Sequence, residues 1–561
     1  MIEFKLKTPT TFSISFEYNQ GIVGLCQMMK GTKGLKWDVE NKHWWTNISE
    51  FQDVYDELGD YDSTVDQKIL TSIEKVKKEE RKVQAELADI DTLKNYTGDL
   101  TIPGLNATLF EYQKKDVYFM SKKKRALNGN EMGLGKTLET ISTCLNVGFK
   151  KILIVAPTTL KHNWIREIEK FTNESCVMTD NNNFRTLLAK IKLSRFVVVH
   201  YEMMRKYIKE IIPMGFDCIV CDEAHKIKNK DAKLTQAVKQ LKPEGIFLLT
   251  GTPIMNRPEE LWSLLNYLDS SRFSNYWNFV RNYSNVVKTR WGYEISGLRN
   301  AEELHKLLNL YMCRNLKKDV LKDLPEKLQY PEEVEMHPDQ KKAYASMRDD
   351  FKTWYERNED GDSDNEGIVL AKLIRLKQMA VLPQMVGSDA PSSKMDRLAE
   401  IADELCESDR KIIVFSQFKE VVRYVHKLLL QHGVCEITGD TPLDVRDQLV
   451  QDFRTNPNKK VFVATVQSCG LGLTLTEASV VIHVDKIWNP QLINQANDRA
   501  HRIGQKNTVH IISLIARGTI DETIEDKLFN KEEMFNKVVE GKDIDKISTK
   551  LDIKDVLTDI L

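Results

Sequence analysis

The stretch Asn130-Glu131-Met132-Gly133-Leu134-Gly135-Lys136-Thr137 constrains this chain more than any other. Gly133 and Gly135 flank a loop that closes on Lys-Thr and runs into Leu138-Glu139-Thr140-Ile141, a predicted helix. Glycines let backbone N–H groups turn inward, a helix N-terminus adds partial positive charge, and a lysine reaches the outer phosphates of a nucleotide. Thr137 then stands where a hydroxyl holds Mg²⁺. The strict phosphate-loop pattern has glycine at position 130, where this chain has Asn130. Alone, the stretch is open to two readings, a phosphate cradle or an ordinary surface turn, and downstream residues decide between them.

Downstream, apolar runs alternate with helical stretches and end in polar residues. Lys151 to Ala156 closes on Pro157, Phe196 to Val199 leads into His200-Tyr201, and Cys218 to Cys221 leads into Asp222-Glu223-Ala224-His225. Ile246 to Leu249 leads into Thr250-Gly251-Thr252-Pro253. This is the pattern of an open parallel α/β sheet, whose ligands gather at the carboxyl ends of the strands. An Asp-Glu pair at such an end is the second half of an ATPase site: Asp222 holds Mg²⁺ through water, and Glu223 orients and deprotonates the attacking water. Gln113, about twenty residues before the loop, has the donor and acceptor that would read an adenine edge.

A second α/β pattern follows, without a phosphate loop of its own. Ile412 to Phe415 ends in Ser416-Gln417, Val461 to Ala464 ends in Thr465, and Val480 to Val484 ends in Asp485 before Trp488-Asn489-Pro490. Gln495, Arg499 and Arg502 recur at i, i+4 and i+7, one stripe of a predicted helix. Two guanidiniums on one face suit the γ-phosphate of a nucleotide held elsewhere; a solvated arginine face is the plain alternative.

Glu131 to Thr137, Asp222 to His225 and Leu249 to Pro253 resemble motifs I, II and III of superfamily 2 ATPases, in the wording of the Swi/Snf-type translocases. Gln495 to Gln505 is similar to motif VI of that family. The family usually has Asp where Asn130 stands, and Arg where Asn315 stands in Arg314-Asn315-Leu316-Lys317. The resemblance implies two RecA-like lobes that close on ATP and Mg²⁺, closure being the power stroke, and movement along double-stranded DNA through backbone contacts. It implies nucleotide contacts from Gln113, Gly133, Leu134, Gly135, Lys136, Thr137, Gly472, Gln495, Arg499 and Arg502. DNA contacts would come from Thr158, Lys161, Trp164 and Tyr201 in the first lobe and Gln417, Thr465, Gln467 and Trp488 in the second, with Thr250 and Thr252 coupling the two sites.

At the N-terminus, Thr11 to Tyr18 alternates as a strand, Ile22 to Met29 is helical, Leu35 to Trp45 reads as a hairpin, and Ile48 to Leu58 as a helix. Trp37, Trp44 and Trp45 with Lys33, Lys36 and Lys42 are either a DNA-facing surface or, for the tryptophans, a small core. Trp37-Asp38 and Lys42 with Trp44 resemble the hairpin of the HepA-related (HARP) domain, which points to the annealing and fork-remodelling subgroup. The expected division is a module at 1–58, a charged helical linker at 59–100, the first lobe at 101–270, helical insertions and hinge at 271–400, the second lobe at 401–530, and a helical extension at 531–561. Ser388 to Lys394 reads as the hinge, and Glu359 to Glu366 as an acidic loop within the insertions.

Composition narrows the partners. The net charge is -1, so attraction to double-stranded or branched DNA must come from local basic surface. No apolar run is long enough for a bilayer and no secretory signal opens the chain. Cys218 and Cys221 form the only C-x-x-C, inside an apolar run with no second ligand pair, so packed thiols and no zinc are expected. An intracellular monomer follows as the expectation, cytoplasmic in a prokaryote or virus and nuclear in a eukaryote. A nucleosome remodeller, an RNA-dependent ATPase and a non-catalytic scaffold remain the rivals.

Overall fold

The computed structural model describes residues 1–525, apart from 9–10, 34, 40, 180–182, 252, 254–257, 290–291, 359–364, 472 and 488–489. Thr252, Gly472, Trp488, most of the acidic run from Glu359 and the extension at 531–561 therefore lie outside the described residues. The chain divides into two compact units, Met1–Thr92 and Leu93–Leu561.

In the first unit, five strands form one sheet: β1 (Ile2–Thr8), β2 (Thr11–Phe16), β3 (Lys36–Asp38), β4 (His43–Asn47) and β5 (Ser63–Val65), in the order β3-β4-β2-β1-β5. Alternation sorts its faces. Ile2, Phe4, Phe12, Ile14 and Trp44 are buried with Ile22, Cys26 and Met29 of α1 (Gln20–Thr32) and Phe51 and Val54 of α2 (Phe51–Glu57). Glu3, Lys5 and Lys7 point the other way and are exposed, as is part of Trp45, with the Lys7 and Lys36 ammoniums 4.9 and 5.4 Å from its ring. Trp44 is core at 7% exposure, whereas Trp37 is 46% exposed and leans on it. The sheet runs past residue 58, because β5 pairs in parallel with β1. The helix α3 (Gln67–Lys94) begins with Ile69 in the same core.

The second unit holds two parallel sheets. The first, ordered β14-β6-β11-β10-β7-β9-β8, contains β6 (Arg125–Asn128), β7 (Ile152–Ala156), β8 (Cys176–Met178), β9 (Phe196–His200), β10 (Cys218–Asp222), β11 (Gly245–Leu249) and β14 (Met312–Cys313). A separate hairpin, β12 (Asn285–Thr289) and β13 (Gly292–Ser296), precedes β14. Fully apolar strands are what a sheet covered on both faces requires, and β7, β9 and β11 are buried throughout. Cys218 and Cys221 are packed thiols of β10, pushed up from the ordinary thiol range by burial. Leu261, Leu264, Leu265 and Leu268 are buried along the helix Glu260–Leu268; of the aromatics that follow, Phe273, Phe279 and Tyr283 are core and Trp277 is exposed.

The second sheet, ordered β15-β20-β19-β16-β18-β17, contains β15 (Lys327–Val334), β16 (Lys411–Ser416), β17 (Val434–Ile437), β18 (Val461–Thr465), β19 (Ala478–His483) and β20 (Val509–Ala516). Here the expected boundaries shift. β15 already belongs to the second lobe, so the helices Pro338–Asn358 and Asn365–Val381 are inserted within that lobe, and the chain crosses between lobes over 314–326. Ser388 to Lys394 is not the hinge: Ser392 caps the helix Ser393–Glu407 and donates to the Val381 carbonyl at 2.6 Å, and Lys394 is buried against Asp521. Among the described residues no helix is long and apolar enough to cross a membrane.

Candidate active site

The phosphate loop leaves β6 and enters α5 (Lys136–Val147). Gly133 and Gly135 both take φ +86, a conformation that strains residues with a Cβ. At Gly135 a Cβ would stand 2.5 Å from Gln113 Nε2; at Gly133 it would stand 3.1 Å from Arg502 Cγ. The Lys136 ammonium donates to the carbonyls of Asn130 (2.7 Å) and Glu131 (3.2 Å). Burial lowers its pKa, opposed by the charges of Glu223 and Asp222.

Asn130 lies beneath the loop in a buried polar cluster. Its amide nitrogen donates to Asp116 (2.6 Å) and to both Glu139 oxygens (3.0 and 3.1 Å). Its oxygen accepts from the backbone N–H (2.7 Å) and side-chain amide (3.0 Å) of Asn315. The two positions that depart from the family wording therefore touch each other. Burial pushes the Asp116 carboxyl up to about 7 and raises Glu139 well above the usual range.

Asp222 ends β10. Its Oδ2 accepts from the Trp164 indole at 2.8 Å, its Oδ1 from the Glu223 N–H at 3.0 Å, and its carbonyl from the Tyr201 hydroxyl at 2.7 Å. Burial, then the neighbouring Glu223, pushes this carboxyl up to about 6, against the Trp164 bond and Lys136. Glu223 takes φ 51, a left-handed conformation that costs a non-glycine residue of order 1–3 kcal/mol and is typical of functional sites. Burial alone would raise its pKa, but His225, Lys136 and Arg499 together hold it below the usual range. His225 Nδ1 stands 3.2 Å from Glu223 Oε2.

The second lobe brings its arginines to the same place. The helix Pro490–Asn497 stops before them, so Gln495 is helical while Arg499 and Arg502 sit on turns, not on one helical stripe. The backbone tightens there: Arg499 N–H bonds to Ala496 O and Ala500 N–H to Asn497 O, both three residues back. Gln505 captures the Ala500 carbonyl at 3.1 Å, and Lys317 that of His501 at 2.8 Å. Arg499 donates to Leu473 O (3.4 Å) and its charge reaches Glu223; Arg502 donates to Thr474 (3.1 Å) beside Gly133.

Several expected positions look different in three dimensions. Trp164 and Tyr201, expected on DNA, are 1% and 5% exposed and brace Asp222 from inside the first lobe. Lys161 is buried with its ammonium 3.3 Å from the Thr179 carbonyl, and Thr465 is buried against Ser468. Gln417 is half-buried, its N–H bonded to Asp485 at 3.1 Å. Thr158 and Gln467 are exposed, on short 3₁₀ turns (Thr158–Leu160 and Val466–Leu471) that approach each other from opposite lobes. Gln113 is 2% exposed; its oxygen accepts from Phe110 N–H and its nitrogen donates to Leu134 O, both at 3.1 Å. That rotamer caps α4 (Glu111–Lys123) and props the loop instead of presenting both amide ends to a base. Thr250 is buried at the end of β11, its N–H on Asn128 O at 3.1 Å. Arg314, which donates to the Gly129 and Gly251 carbonyls, and Lys317 belong to the site although their spacing gave no catalytic signal.

The Gly133–Gly135 loop, the Asp222-Glu223 pair and the arginine turn are thus apposed across two lobes. Residues 112–385 match the SNF2-related domain and residues 393–504 the helicase conserved C-terminal domain. The chain belongs to the SNF2-related helicases. It is 31% identical over 474 residues to an uncharacterized ATP-dependent helicase of Mycoplasma pneumoniae, covering 81% of this chain and 45% of that protein. It is 29% identical to the mouse DNA annealing helicase and endonuclease ZRANB3 (80% and 43% covered) and 29% identical to the yeast ISWI chromatin-remodeling complex ATPase ISW1 (82% and 43%). The chain thus spans less than half the length of these relatives. A solved structure, the Sulfolobus solfataricus SWI2/SNF2 ATPase core in complex with dsDNA, aligns at 28% identity over 82% of this chain and 98% of that one, with a TM-score of 0.39.

Proposed function

We propose that this protein hydrolyses ATP in the cleft between its lobes and uses the cycle to move along double-stranded DNA. The observation that carries the chemistry is the convergence of Lys136, Asp222 and Glu223 from one lobe with Arg499 and Arg502 from the other. Glu223, held ionised, is the base that orients water. Lys136 and the two arginines steady charge on the transferred phosphoryl group. The donor set fits a magnesium nucleotide, since Thr137 and Asp222 supply hard oxygen ligands; bound there, the ion would neutralise phosphate charge. Because the arginines come from the second lobe, neither lobe completes the site alone.

The DNA reading is supported by family membership and by the name of the annealing-helicase relative. Thr158 and Gln467, exposed on facing turns, are the backbone contacts this reading favours. A preference for branched DNA is supported by the open face of the N-terminal sheet, where Trp45 lies with Lys7 and Lys36. Aromatic stacking with flanking cations suits single-stranded segments, at about 1–3 kcal/mol per stacked base.

The test is steady-state ATPase activity with duplex, forked and single-stranded DNA, with RNA, and without nucleic acid. Strong stimulation by duplex or forked DNA is expected, lost in K136A and E223Q. Activity indifferent to DNA would refute the translocase reading, and stimulation by RNA alone would replace its substrate. W45A is expected to reduce stimulation by forks and leave that by duplex; equal effects on both would remove the branch preference.

A further inference from the structure

The crossing between lobes places one buried cation between the phosphate loop and the arginine turn. Lys317 is 4% exposed. Its ammonium lies 2.7 Å from Asp498 Oδ1 and donates to the His501 carbonyl at 2.8 Å, both on the turn that carries Arg499 and Arg502. Its backbone N–H donates to the Glu131 carboxylate, within the phosphate loop. Its Cε would lie 3.6 Å from a Cβ on Gly133, beside Arg502 Cγ. A single residue thus touches the loop with its backbone and the arginine turn with its side chain.

We propose that Lys317 is a positioning residue that fixes the register of the arginine turn against the phosphate loop. The proposal rests on the ATPase reading above and adds how the two half-sites are aligned. The requirement is geometric. Past Asn497 the helical ladder gives way to three-residue bonds at Arg499 and Ala500 and one four-residue bond at His501, so a shift of these carbonyls moves both guanidiniums. Lys317 ties that turn at two points, one an ion pair and one a carbonyl. Glu131 in turn anchors Lys317 to the segment whose carbonyls hold Lys136. Both ends of the pin are half-buried or buried, which shields the pair from screening by salt. Lys317 itself takes no part in bond making, so its loss should spare nucleotide capture by the first lobe and slow turnover.

The experiment uses the full chain and separates these quantities. Binding of a fluorescent ATP analogue without DNA reports capture, and DNA-stimulated ATPase reports kcat and KM. K317M is expected to lower kcat about 100-fold, the scale of a misplaced catalytic group, with analogue affinity within about threefold of wild type. D498N should lower kcat less than K317M, because the bond to the His501 carbonyl remains, and the K317M/D498N pair should be no worse than K317M alone, because Asp498 holds the turn through Lys317. K317R keeps the charge and should recover to within about tenfold of wild type. Unchanged kcat in K317M, multiplicative losses in the double variant, or parallel loss of affinity and turnover in both K317M and K317R would overturn the assignment. If wild type binds the analogue but shows no DNA-stimulated turnover, the proposed function fails before Lys317 is at issue.

Discussion

Replacing Trp164 by Phe decides whether the indole serves DNA or Asp222. The indole N–H is 2.8 Å from Asp222 Oδ2, in a side chain only 1% exposed, so W164F deletes one hydrogen bond and little volume. A hydrogen bond to a charged group contributes about 1.5–3 kcal/mol, and one pKa unit corresponds to about 1.4 kcal/mol. Loss of the donor should therefore raise the Asp222 pKa by about one to two units from its value of about 6. The sign is fixed: the protonated carboxyl cannot hold a magnesium ion, so the acid limb of the pH profile moves upward. Activity at pH 7 should fall about two- to tenfold, while activity well above pH 8 approaches wild type. Excess Mg²⁺ should restore part of the loss, because the ion favours the ionised form. The assay is DNA-stimulated ATPase across pH at two magnesium concentrations, with half-saturating DNA measured in parallel. An unmoved acid limb together with weakened DNA affinity would refute the bracing role and return Trp164 to the DNA-contacting surface.

The cluster under the phosphate loop gives two further expectations, and Lys136 with Glu223 a third. N130D places a third carboxylate beside Asp116 and Glu139 and should destabilise the protein by about 3 kcal/mol, seen as a lowered melting temperature; N315R added to N130D should recover much of it by restoring an ion pair. Asp116 keeps its proton in the folded state at a pH where an ordinary carboxylate has lost it, so its contribution to stability is present in acid and lost as pH rises through about 7. The melting temperature should accordingly decline between about pH 4 and pH 7 and level off above, and D116N should flatten that decline; an equal slope in both proteins would show that other groups titrate there. K136A and E223Q should both abolish turnover, and E223Q should retain binding of an ATP analogue, because Lys136 still faces the phosphates.

The residues that converge between the lobes were legible because their marks are local: glycines at a loop, an acidic pair at a strand end, two arginines three positions apart. The second lobe's boundary was hidden in β15, whose Gln329-Tyr330-Pro331-Glu332-Glu333 shows no apolar run and is mostly exposed. Only pairing with β20 makes it a strand. Trp164 had a readable signal that the family resemblance outweighed: with Ile168 it forms an i, i+4 pair on an amphipathic helix (Lys161–Phe171), which is a core stripe. Arg314 and Lys317 stood out only as part of a family-like stretch, and their roles were hidden because their partners lie up to 185 residues away. Strand β1 was readable from the alternation of Ile2, Phe4 and Leu6, and it extends the N-terminal sheet to β5.

The pairing of β15 with β20 also sets an order of assembly. Tyr330 and His510, partners across that pair, stand 180 residues apart, so a ribosome delivers the edge strand long before its neighbour exists. The first lobe has all its strands by Cys313 and can fold while synthesis continues. β15 must wait, exposed and unpaired, for the last strand of its sheet. Pro331 and the paired charges Glu332 and Glu333 are the residues that keep such a strand from pairing with the wrong chain. The features that concealed β15 as a strand are thus the ones that protect it during the wait.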